Sequence, residues 1–273
     1  LGLLPADFGC LGERVGYYGN SLGDHFGVGH IFLAGEAPGL FYGYVTQGIV
    51  QKEDITENGI KYIKQDGSVG YYQTVNKTTP VAGDVKYVDR NGDGVVDDND
   101  RDIIGNPNPD FTYGFQTKVS WKSLSLSASF NGVQGRDILN VGNRYNNTPG
   151  TKSNNVTRKA FQNMWTDENP SNLYPKSTFV VQNMVMDRYV EDGSYLRCSD
   201  ITLSYILPAK WTNKIGIKNT SVYASVKNAF VITDYSGYDP EVNSFAFDGL
   251  RPGVDMNSYP TPRSFVFGLN LTF

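Results

Sequence analysis

The ten residues from Ser264 to Phe273 alternate without a break. Phe265, Phe267, Leu269, Leu271 and Phe273 fall on one face; Ser264, Val266, Gly268, Asn270 and Thr272 fall on the other. Successive side chains of a strand point to opposite faces, so period two means an extended segment with one strongly apolar side. The pattern recurs. Phe111, Tyr113, Phe115, Val119 and Trp121 alternate with Thr112, Gly114, Gln116, Lys118 and Ser120, and Thr117 interrupts the apolar row once. After a tight connection at Lys122-Ser123, Leu124, Leu126, Ala128 and Phe130 alternate with serines, which reads as a hairpin. Ile201, Leu203, Tyr205 and Leu207 repeat it, as do Val222, Ala224, Val226, Phe230 and Ile232, with Asn228 as the exception.

Two architectures bury one face of such strands. A soluble sandwich does so against a second sheet, but its strands usually run about five or six residues. The longest runs here reach about ten or eleven, the length a tilted strand needs to cross a bilayer. Aromatics mark the ends of the apolar faces, as in an interfacial girdle, and Ser, Thr, Asn, Gln and Lys line the other faces, as in a wet lumen. Only a closed barrel satisfies every strand edge in lipid. The pattern therefore predicts an all-β chain, part of an antiparallel transmembrane barrel, with roughly seven to ten strands. Residues 135–185 and 233–262, rich in Asn, Ser, Pro and Gly, read as long external loops. In residues 1–75 the Asn58-Gly59 and Asp66-Gly67 turn signals predict strands and loops without firm boundaries.

Composition excludes other classes. With 18 Tyr, 15 Phe and 3 Trp the chain is too aromatic for a solvating tail. No run of 18 apolar residues offers a membrane helix. A net charge of −4, with scattered basic residues, excludes nucleic acid as a partner. Cys10 and Cys198 stand far apart with no CxxC, and read as isolated small residues whose disulfide state is open. His25 and His30 lack HExxH spacing.

Residues 89–100 read DRNGDGVVDDND. Asp89, Asn91, Asp93, Asp97 and Asp100 take positions 1, 3, 5, 9 and 12 of a twelve-residue loop, Gly94 takes the sharp turn at position 6, and Val95 offers its carbonyl at position 7. That spacing wraps hard oxygens round calcium. The departures are Asp100 in place of a bidentate Glu and no flanking helices. The plainer alternative is a solvated acidic turn. On the metal reading the ion is structural, since nothing nucleophilic lies nearby in sequence, and Val96 points into a core.

Catalytic signatures are absent: no G-x-S-x-G elbow, Walker loop or dinucleotide fingerprint occurs. The acidic pairs Glu191-Asp192 and Asp239 with Glu241 are ordinary for an acidic chain. Tyr145, Tyr174, Tyr235 and Tyr238, in the polar stretches, read as loop anchors or as stacking platforms for sugars.

Several segments together resemble the C-terminal part of the SusC/RagA family of TonB-linked outer-membrane transporters of Bacteroidetes. They are FYGYVTQGIVQ (41–51), GDVKYVDRNGDGVVDDNDRDIIGNPNPDFTYGF (83–115), SASFNGVQGRDILN (127–140), ENPSNLYP (168–175), RYVEDGSYLRCSDITLSYILP (188–208), NAFVITDYSGYDPEV (228–242) and SYPTPRSFVFGLNLTF (258–273). The resemblance implies a 22-stranded barrel holding an N-terminal plug, a SusD-like surface lipoprotein as a lid, and import of oligosaccharides or oligopeptides driven through TonB. It implies that Phe273 is an assembly signal read by the barrel-assembly machinery. A complete barrel of that size needs far more than 273 residues, so residues 1–273 are expected to be a C-terminal barrel part, with the plug absent and the calcium-like loop 89–100 within it.

Three functions are weighed. The leading one is a barrel wall, not an enzyme, that imports a nutrient across the outer membrane. The alternative is a calcium-stabilised surface glycan-binding β protein without transport. A barrel enzyme would need an inward-facing Ser/His/acid set, and both histidines lie in the poorly matching first 40 residues.

Overall fold

A computed structural model describes residues 17–18, 29–148, 155–177, 184–212 and 219–272. Chain contacts divide it into two compact units, one of residues 1–108, 137–191 and 242–257, the other of residues 109–136, 192–241 and 258–273.

The second unit is the alternating one. Its strands are β1 (Phe111–Trp121), β2 (Leu124–Gln134), β3 (Tyr195–Ile206), β4 (Asn219–Thr233) and β5 (Ser264–Thr272). They form one antiparallel sheet in the order β1-β2-β3-β4-β5. Lys122 takes a left-handed φ of 53°, which lets two residues reverse the chain between β1 and β2. The ladder slips between Ser129 and Phe130 against β3, and again between Cys198 and Asp200 against β4. A bulge re-aims every side chain beyond it. Asn228 sits on that line with φ 51°, so the residue that breaks the sequence alternation is the one that absorbs the bulge. Asn is among the few side chains that tolerate this region.

The first unit has short strands around its own core; those in residues 1–75 give bounds to the strands and loops that the turn signals predicted. Leu40–Tyr44 pairs antiparallel with Arg101–Gly105, and Ile55–Thr56, Gly59–Ile63 and Val69–Tyr72 form a meander. The turn signals hold: Gly59 and Gly67 have φ of 116° and 83°, and Asp66 accepts from the Ser68 N–H. Phe41, Tyr44, Ile60, Tyr62, Tyr72, Tyr87, Val96, Leu139, Met184 and Val254 share one buried cluster. Gly43 lets the backbones meet there, since a Cβ would lie 2.5 Å from the Val185 carbonyl. Residues 135–185 are thus partly core, with a helix Val141–Asn147 capped by the Asn140 carboxamide and a helix Arg158–Asn163 capped by Thr157.

Tyrosine suits this core because its ring supplies apolar area while its hydroxyl reaches a polar partner. Tyr62 donates to the Asp89 carbonyl at 2.6 Å, Tyr44 to Asp98, and the Tyr72 hydroxyl accepts from the Tyr87 N–H. A buried hydroxyl left alone would cost about 1–3 kcal/mol.

Candidate functional site

The paired strands align the apolar side chains into rows. Trp121, Leu124, Tyr205, Val222 and Leu269 stand side by side across all five strands, and so do Val119, Leu126, Leu203, Ala224 and Phe267. Thr117, the interruption read in the sequence, lies opposite Ala128 in the next row. Beyond the bulge the row is Phe115, Phe130, Cys198 and Phe230, with the Phe115 and Phe130 rings stacked at 4.5 Å. Apart from the buried Cys198, these rows are open. Phe267 is 78% exposed, Trp121 69%, Phe265 66% and Val119 64%. In water such a sheet would leave an apolar patch far beyond what soluble proteins tolerate.

The opposite face is polar and cross-linked. Asp200 accepts from Ser225, Thr202 and the Lys227 ammonium at 2.8–2.9 Å. Nearer the Phe111 end, Arg197 is buried between Asp239 at 2.5 Å and Glu241 at 3.3 Å, and Glu241 also accepts from Tyr195 and Asn131. One-sided apolar exposure with a bonded polar reverse face is the surface of a barrel wall, lipid outside and water inside. The two-residue connection 122–123 closes one end of this sheet. Outer-membrane barrels keep short turns periplasmic and long loops outside. No described helix is long and apolar enough to cross a membrane.

The acidic loop 89–100 closes on its own hydrogen bonds. Asp89, buried, accepts from the Gly92 and Gly94 N–H groups at 2.6 and 2.9 Å. Asp100, fully buried, accepts from Arg90, Asn91 and Asp97 N–H groups. Burial nonetheless pushes the Asp100 carboxyl up. Burial, with Asp89 and Asp100 beside it, pushes the Tyr62 phenol up to about 12. Asn91, Asp93 and Asp97 each accept from the N–H two residues on. Gly94 has φ 85° with open space round it, and Val96 is fully buried. Val95 and Val96 pair in parallel with Thr74 and Val75. The turn at Gly94 is thus left-handed and the side chain two residues on is buried. The carboxylates do not converge: among the described residues no three His, Cys, Asp or Glu side chains form a group that could hold a metal.

No family model matches the sequence. The chain is 35% identical to TonB-dependent receptor P26 of Formosa agariphila over 201 residues, 71% of this chain and 20% of that protein. It is 33% identical to TonB-dependent receptor P3 of the same organism over 248 residues, 89% of this chain and 23% of the relative. It is 34% identical to TonB-dependent receptor SusC of Bacteroides thetaiotaomicron over 194 residues, 68% of this chain and 17% of that one. The chain belongs to the SusC-like TonB-dependent receptors. It spans about a fifth of the length of these curated relatives. The RagAB peptide importer in its open-open state superposes with a TM-score of 0.62 at 25% identity, covering 90% of this chain and 23% of that one. A further RagAB peptide transporter structure, 24% identical with a TM-score of 0.64 and 94% of this chain covered, shows the same fold.

As a SusC-like outer-membrane β-barrel protein, the chain turns its open Phe and Leu rows to lipid. Of the four tyrosines read as anchors or platforms, Tyr174 and Tyr235 are buried, Tyr145 packs against the first unit's core, and Tyr238 is 72% exposed. Glu191 accepts from Asn140 and Asn143 and Asp192 from the Ser194 N–H, so that pair is structural. Cys198 is a buried free thiol within the sheet. Phe273, Cys10 and His25 lie outside the described residues. Sequence reasoning missed Arg197 as a site residue. Its only signal was a basic residue inside an apolar run, and its partners lie more than 40 residues away.

Proposed function

We propose that this chain supplies wall and loops to a TonB-dependent importer that brings an oligosaccharide or oligopeptide across the outer membrane with a SusD-like surface lipoprotein as its lid. The observation that carries this is the uncovered apolar face of five long strands backed by a bonded polar face. Relatives named as TonB-dependent receptors, SusC among them, and a neighbour named as a peptide importer support it. The wall does no covalent chemistry; selection lies in lumen and loop side chains, and the energy enters through TonB. The test is uptake by cells carrying the whole transporter, against a deletion strain, with labelled oligosaccharides and oligopeptides in separate arms. TonB-dependent uptake in either arm, with the protein in the outer-membrane fraction, is expected. Uptake equal to the deletion strain in both arms would defeat the proposal.

We further propose that the 89–100 loop takes a structural calcium through Asp89, Asn91, Asp93, Asp97, Asp100 and the Val95 carbonyl. The ligand spacing, the left-handed Gly94 and the buried Val96 support it. Binding requires the exposed Asp93 and half-buried Asp97 to turn inward from their present backbone partners.

A further inference from the structure

The connection between β4 and β5 is gathered at its neck. Asp239 accepts from the Glu241 N–H on the outgoing stem and from the Thr261 N–H on the returning one. The same carboxylate pairs with Arg197 on β3, and the Pro240 carbonyl accepts from Arg136. Arg197 and Asp239 are 5% and 8% exposed, so the pair is desolvated and its geometry is fixed from several sides. Immediately before this clamp stands Tyr238, 72% exposed. Gly237 allows the turn, because a Cβ there would strike the buried Tyr235 ring. The connection therefore has an open aromatic ring one residue before a segment tied down at Asp239 and Pro240.

An exposed ring beside a tethered backbone contacts a ligand at little further entropic cost. We propose that Arg197, Asp239 and Glu241 are positioning residues that present Tyr238 as a fixed stacking contact for a ring in the imported substrate. The shared chemistry is an apolar ring face, supplied by a pyranose or by an aromatic or prolyl peptide side chain. This rests on the import reading above.

The experiment uses the whole transporter with its lipoprotein in cells. In Tyr238→Ala the half-saturation concentration of uptake rises about tenfold while the maximal rate and outer-membrane level hold, and Tyr238→Phe restores it. Oligosaccharide and oligopeptide arms identify which ring is stacked. Asp239→Asn loosens the neck, so chymotrypsin cuts after Tyr238 about tenfold faster and half-saturation rises as in Tyr238→Ala, because proteolysis tracks the opened population. Glu241→Gln, at a more exposed site, gives a smaller change in both readouts should Asp239→Asn fail to assemble. Unchanged half-saturation in Tyr238→Ala, in cells that import, overturns the contact. Cleavage equal to wild type in both neck variants overturns the clamp. Absence of wild-type uptake in both arms defeats the import reading instead, and the cleavage assay still judges the clamp.

Discussion

At the scale of single residues, exposure assigns each wall side chain its solvent. Leu269 is 56% exposed on the lipid face, and Asn270 is on the other. Phe265 shares that lipid face in the row of Thr117 and Ala128, half-way along the sheet, so Phe265→Arg is expected to cost about 2–4 kcal/mol, while Asn270→Arg is tolerated. The amount of folded barrel in outer membranes, read by gel shift on heating, checks the pair; equal levels for both would refute the face assignment. His30 is a second residue whose surroundings fix its behaviour. It is fully buried, its Nε2–H donates to the Pro252 carbonyl at 2.9 Å, and its Nδ1 is buried with no hydrogen-bond partner among the described residues. Burial lowers its pKa, only partly countered by that carbonyl. Folding thus favours the neutral ring, so the contribution is complete above the ordinary value of 6.5 and is lost as pH falls below it. Protection factors of the Leu40–Tyr44 amides, which divide out the pH dependence of intrinsic exchange, are expected to fall from pH 6.5 to 5, and His30→Gln should flatten that dependence.

At the scale of elements, the bulge and the acidic loop are the two devices that break regularity. Asn228 carries the bulge at φ 51°. Asn228→Gly should be nearly neutral, and Asn228→Val should cost about 1–2 kcal/mol because a β-branched side chain resists that region. Guanidinium unfolding in detergent would show the difference. In the loop, Asp89→Ala strands two N–H groups and is expected to destabilise by about 1–3 kcal/mol with or without calcium. Asp93→Ala acts otherwise, since its side chain is exposed and its bonds are local. It should leave the fold in place and abolish terbium luminescence sensitised by nearby tyrosines. Terbium bound equally by wild type and Asp93→Ala would discard the metal proposal and leave a hydrogen-bonded turn.

At the scale of the whole molecule, the two units have different ways of hiding apolar surface. The first closes round tyrosines and aliphatics; the second leaves its rows open and depends on lipid. A five-stranded sheet also ends in two strands, β1 and β5, whose outer backbone edges find partners only in further strands. Residues 109–136, 192–241 and 258–273 are therefore expected to need detergent or membrane to stay dispersed. Sedimentation of the isolated chain in plain buffer should show aggregates. A monodisperse species without detergent would contradict the lipid-facing assignment.

The sequence by itself determined what period two can encode. The strands, their apolar faces, the tight Lys122 turn, the glycine turns and the acidic loop were legible because each is set by neighbours a few residues apart. Even the exceptions were visible, Thr117 and Asn228 among them, though their meaning was not. Tertiary structure decided the rest. The slip between Ser129 and Phe130 depends on three strands pairing at once, and the burial of Tyr62, Tyr72 and Tyr87 depends on segments that meet only after folding. Arg197 and its partners at 239 and 241 form a site only through long-range contact. Local alternation records which side chains share a face; which faces and loops meet is a matter of packing, and packing is set by the whole chain.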